Sequence, residues 1–189
     1  MKFLILTALV FGIFVISLGI TPTAHAWSYP IVATIDVPGK PYSIIYDPID
    51  GKIYVGTAVS PNSPWDNYIS VISDETNTIV ETIDVPSIPM SLAYDSAHGK
   101  MYVSGFTVVD LETNTIEQIG GIGYADSMVY DSGKGEIYAT NSWNEKISVI
   151  SDETYAVVET ISGIRSSDHA FGSMLHLPAK GKIILGSDR

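Results

Sequence analysis

The stretch Ile69 to Ile83, ISVISDETNTIVETI, returns at Ile147 to Ile161 as ISVISDETYAVVETI, with 12 of 15 positions identical. A chain that repeats itself this closely folds as stacked copies of one supersecondary unit, so the unit decides the architecture. A shorter copy, FTVVDLETNTIEQI, runs from Phe106 to Ile119. A second piece recurs ahead of these: SIIYDPIDGKIYVGT at Ser43, SLAYDSAHGKMYVSG at Ser91, SMVYDSGKGEIYATN at Ser127 and SMLHLPAKGKIILGS at Ser173. The glycines Gly51, Gly99, Gly135 and Gly181 set the period at 48, 36 and 46 residues.

Inside each unit the periodicity is two. Lys52-Ile53-Tyr54-Val55 and Lys146-Ile147-Ser148-Val149-Ile150 interleave β-branched and aromatic residues with polar ones, the pattern of strands packed on at least one face. Turn residues separate the strands. Asp47-Pro48-Ile49-Asp50-Gly51 and its counterparts carry the glycine that supplies positive φ, and Asp74-Glu75-Thr76-Asn77 places Asn77 where a left-handed residue is needed. Each unit therefore reads as four strands: a (Ser43 to Tyr46), b (Lys52 to Thr57), c (Tyr68 to Ser73) and d (Thr78 to Ile83). No amphipathic helix is expected after the N-terminal segment.

Four antiparallel strands every forty-odd residues predict an all-β fold, a β-propeller of four-stranded blades. YVGT at Tyr54, YVSG at Tyr102 and YATN at Tyr138, each followed by a hydrophobic strand ending in Asp, with ETNT turns at Glu75 and Glu112, resemble the YVTN-type propeller repeats of bacterial and archaeal surface and secreted proteins. The resemblance covers nearly all of 31–187. It implies the fold and an extracytoplasmic setting, and it implies no catalytic residue. VATIDV at Val32 to Val37 matches VETIDV at Val80 to Val85, so the propeller is expected to be incomplete: a leading d strand, three full blades at about 43–84, 91–119 and 127–161, and trailing a and b strands over 173–189. Such a chain is part of a longer propeller, completes its ring with another chain or copy, or closes as a small ring of four with an imperfect last blade.

Lys2 is followed by an uncharged run, Phe3 to Ile20, and by Ala24-His25-Ala26. A positive start, an apolar stretch and an A-x-A site describe a secretory signal peptide over 1–26, with a retained membrane anchor as the alternative. Residues 27–189 form the partial propeller and lie outside the cytoplasm. Membrane contact is expected only through an uncleaved N-terminal segment. With no Cys in 189 residues there is no disulfide framework, thiolate metal site or cysteine nucleophile. The 10 basic against 21 acidic residues repel phosphate backbones, so nucleic acid is not an expected partner. At 46% hydrophobic and 16% charged residues, the chain can bury a core.

The strand order puts the a–b and c–d turns on one face of the disc and the b–c and d–a connections on the other. Only the second set varies in length, so the functional surface is expected there. Trp65, Asp66 and Tyr68 in the first such loop and Trp143, Asn144 and Glu145 in the third supply the aromatic and polar mixture of recognition surfaces. The bland alternative is that each Trp folds back over its own blade. Arg165, Asp168 and His169 lie in the last d–a connection, with Asp126 at the preceding one. The ligand is expected to be a protein, a small molecule or a glycan, bound without catalysis. The rival is a lyase or hydrolase with His169 or Glu145 as base at the channel mouth, with or without the help of a divalent cation, which requires that His169, Asp168, Glu145 and Asp126 converge. Asp47, Asp95, Asp131, Asp74, Asp110 and Asp152 recur one per hairpin and read as turn caps; His98 and His176 read as structural. Neither a cofactor nor a metal is expected.

Overall fold

The computed structural model describes residues 31–60, 66–105, 107–119, 124–164 and 171–187. The chain divides into two units, Met1–Thr34 and Ile35–Arg189, and all strands among the described residues lie in the second. Three four-stranded antiparallel sheets follow one another. The first holds β1 (Lys40–Asp47), β2 (Lys52–Ala58), β3 (Asn67–Ser73) and β4 (Thr78–Asp84). β5 (Leu92–Asp95), β6 (Lys100–Val103), β7 (Thr107–Asp110) and β8 (Ile116–Gln118) form the second. The third contains β9 (Ser127–Asp131), β10 (Glu136–Asn141), β11 (Lys146–Ser151) and β12 (Val157–Ser162). A two-stranded sheet of β13 (Phe171–Leu177) and β14 (Lys182–Ser187) completes the described strands, its turn carrying a short 3-10 segment, Pro178–Lys180.

The three a-to-d blades and the trailing a and b strands stand where the repeat places them. The leading d strand does not form: residues 31–39 hold no strand, and Ile31 and Val32 are exposed. A d strand is held only by the ladder of its own blade's c strand. Among the described residues the last sheet holds β13 and β14 and no c strand against which VATIDV could pair.

The near-identical segments fold alike in detail. Both break register at the same place, between Val71 and Ile72 and between Val149 and Ile150, one bulge per c–d pair. Asn77, Asn114 and Tyr155 occupy equivalent turn positions with φ near 55°, and the a–b turn glycines all have positive φ. Gly135 is needed twice over: its φ is +66°, and a Cβ there would lie 2.7 Å from Asp152 Oδ1.

Packing between sheets makes the propeller. Tyr54, Ile69, Val71, Leu92, Met101 and Val109 form the core between the first and second sheets; Tyr102, Val108, Met128, Ile137 and Ile150 form that between the second and third. Tyr138, Val149 and Met174 start a third core against the trailing pair. Ile69, Met101 and Ile137 are fully buried, each contributing about 1.5–3 kcal/mol. The outer β8 and β12 are exposed throughout, whereas the middle strands β2, β3, β6, β7 and β10 are mostly buried.

Candidate functional site

The a strands β1, β5, β9 and β13 lie side by side at the axis. A serine lies in or immediately before each: Ser43 in β1, Ser91 just ahead of β5, Ser127 at the start of β9 and Ser173 in β13. Met128 donates its backbone N–H to Ser91 Oγ at 2.8 Å, and Met174 donates its own to Ser127 Oγ at 3.0 Å. One blade's serine thus accepts from the residue after the next blade's serine. At the first seam the contact inverts: Ser43 donates from Oγ to the Pro89 carbonyl at 2.6 Å. A hydroxyl that accepts an amide still has a proton to donate. These serines border a cavity of about 430 Å³ at the d–a end of the axis, lined also by Tyr42, Met90 and Asp126.

Asp126 ties this mouth to a variable loop. Its Oδ2 accepts the Ser142 N–H at 2.6 Å, and its own N–H donates to the Thr140 carbonyl. The loop that follows is a four-residue hairpin. Asn144 donates its N–H to Asn141 Oδ1 at 3.1 Å, and Glu145 closes the turn with φ of 49°. Trp143 stands at the tip, 83% exposed, touching no core cluster. The indole thus stands in water on a hairpin whose base is held by a carboxylate. Nearby, burial first and then the Asp126 charge push the Tyr124 phenol up, and Lys40 Nζ lies 5.1 Å from the Tyr42 ring centroid.

The other expected site residues fall differently. Asp66 is half-buried and accepts the Val59 N–H with its carbonyl, closing the first b–c loop. Tyr68 belongs to β3, paired with Thr57 and Asp84, and is part of the sheet. No described hydrogen bond joins Asp126 to Glu145, or either Asp66 or Tyr68 to the Trp143 hairpin. Trp65, Arg165, Asp168 and His169 lie outside the described residues. Sequence reasoning missed Tyr42, Ser91 and Ser127, although the serine heading every a-strand segment was a visible signal.

On the opposite face the recurring aspartates cap their turns. Asp47, Asp95 and Asp131 accept the N–H of Ile49, Ala97 and Gly133 on Oδ1, each at 2.9 Å. Asp47 and Asp131 also receive the next blade. Tyr94 donates to Asp47 Oδ2 at 2.8 Å, and His176 Nε2 lies 3.3 Å from Asp131 Oδ1. Tyr54 packs on Tyr94 and Tyr102 on Tyr130, with centroids 5.8 and 6.3 Å apart, so at the first two seams the tyrosine of the b strand meets that of the next a strand. At the seam between the second and third blades, Asp95, His98 and Asp152 converge, with Tyr130 donating to Asp152 Oδ2 at 2.9 Å.

Radial four-stranded sheets joined at their inner strands define a β-propeller, incomplete among the described residues. Solved structures agree. The chain is similar to the RRP9 WD40 repeats (14% identity, TM-score 0.57, covering 74% of this chain and 42% of that one). It is similar to U3-55K (12%, 0.60, 80% and 53%). It is also similar to the hydrazine synthase of Kuenenia stuttgartiensis (19%, 0.63, 86% and 46%). At such identities the likeness concerns the fold. The chain spans about half the length of these structures, 42 to 53%. No protein-family model matches the chain, and no curated protein matches it by sequence.

Proposed function

We propose that this chain is an extracytoplasmic β-propeller of the YVTN-repeat type, a non-catalytic binding or scaffold protein of the cell envelope. Its b–c and d–a loops meet a protein, small-molecule or glycan ligand. The observation that carries the reading is Trp143, 83% exposed on a hairpin fixed by Asp126 beside a mouth lined by serines. Aromatic surface for stacking next to hydroxyl and carboxylate groups is what a polar, partly apolar ligand needs.

The N-terminal segment supports the location, as a cleaved signal or an anchor. Only two strands stand in the last described sheet, which supports ring completion by further blades or another chain. Fractionation of cells expressing the full chain, with labelling by a membrane-impermeant reagent, tests the reading. Labelled protein in the envelope or medium is expected; protein confined to the cytosol, shielded from the reagent, overturns it.

A further inference from the structure

We infer that the seam between the second and third blades holds a divalent transition-metal site formed by Asp95, His98 and Asp152. One oxygen of each carboxylate and one ring nitrogen lie within 4.8 Å of one another, the only such triple among the described residues. The site spans two blades: Asp95 ends β5 and His98 sits in the turn after it, whereas Asp152 follows β11. His98, Asp152 and Tyr130 line a cavity of about 630 Å³ that opens to solvent, so an ion has a way in.

The donors fit an ion of the zinc class. One imidazole nitrogen with two carboxylate oxygens suits borderline ions, whereas calcium prefers six to eight oxygens. Asp95 is fully buried and fixed by the N–H groups of Ala97 and His98 at its Oδ1. Its Oδ2 faces His98 Nδ1 at 2.6 Å. The imidazole is 61% exposed, so an ion can reach it from solvent. Tyr130, bonded to Asp152 Oδ2, orients that ligand as an outer partner. Neighbouring cations are engaged elsewhere. Lys134 donates to Tyr138 Oη at 3.0 Å and lies near Glu136; Lys100 lies 3.6 Å from Asp110 Oδ2.

The repeat shows why this seam alone qualifies. The residue before the turn glycine is Asp50 in the first blade, His98 in the second and Lys134 in the third. At the first seam Tyr94 donates to Asp47, and Asp110 bonds Thr113 instead. At the third, a lysine replaces the ligand. A bound ion would join two blades otherwise linked by packing and single hydrogen bonds.

Calorimetric titration of the full chain with zinc chloride, and separately with calcium chloride, tests this. One zinc per chain is expected, with calcium binding at least about tenfold more weakly. His98→Ala and, separately, Asp152→Asn should each weaken zinc by at least about tenfold, since loss of a direct ligand costs no less than loss of an outer partner. Asp152→Asn keeps an acceptor for Tyr130, and circular dichroism confirms that both variants fold. Cobalt should give tetrahedral visible absorption in the wild type that is lost in His98→Ala. Absence of stoichiometric zinc binding, or equal affinity in the wild type and both variants, overturns the assignment.

Discussion

Asp126 Oδ2 accepts the Ser142 N–H at 2.6 Å, fastening the wall of the axial mouth to the hairpin that carries Trp143. Ser142 is only 6% exposed, so its amide has little water to turn to. Asp126→Ala should destabilise the protein by about 1–2 kcal/mol, within the range for an unpaired buried donor discounted for the half-exposed carboxylate. Urea unfolding of the full chain measures this. A change below about 0.5 kcal/mol would mean that the hairpin stands without the bond.

Ser91→Ala removes the acceptor of the Met128 amide across the second seam. Both residues are buried, so about 1–3 kcal/mol should be lost. Hydrogen exchange should quicken at Met128. The expectation fails if exchange quickens equally across the first blade, because the bond would then have no local role.

How far the sequence carried the fold is clear at particular residues. The bulge after Val71 and its copy after Val149 follow from identical strings, and Asn77 and Gly135 take the positive φ their turns require. Local chemistry suffices at such places. The seams were not legible, because Tyr94 meets Asp47 and Met174 meets Ser127 from 47 positions away, a distance no local pattern encodes. Tyr155 shows the same limit. It sits in a left-handed turn suited to Asn, yet its ring lies 6.4 Å from that of Tyr102 in the neighbouring blade. VATIDV misled because identity to a d strand supplies no c strand to pair with. Trp143, Asn144 and Glu145 were found as a loop, but nothing in the sequence said the indole would point to solvent.

The tyrosines at the seams make stability fall in alkali. Burial first, then the charges of Asp47, Asp50 and Glu81, push Tyr54 up to about 12 from an ordinary value of 10.0. Tyr94, Tyr102 and Tyr130 move the same way, burial again the largest cause. A folded-state pKa above the unfolded one gives stability that is whole below pH 10 and is lost as pH rises through about 12. Thermal unfolding over this window should show a falling midpoint. Ultraviolet difference titration should show ionisation of these phenols delayed until the fold is lost; phenols that all ionise near 10 in the folded chain would contradict it.

Tyr94→Phe isolates one seam contact without changing ring packing. Asp47, 1% exposed, keeps its own turn amide and loses the phenol donor. A loss of about 1–2 kcal/mol in urea unfolding is expected. An unchanged midpoint would leave packing against Tyr54 as the sole contribution of that residue.

Cosedimentation of the purified full chain with isolated cell envelopes measures the role of Trp143. Trp143→Ala should leave the thermal midpoint nearly unchanged, as for other exposed substitutions, and weaken retention by at least about tenfold. Glu75→Ala, exposed on the opposite face, should retain wild-type binding. Equal retention of the wild type and Trp143→Ala, or a loss confined to Glu75→Ala, would contradict a ligand surface on the variable loops.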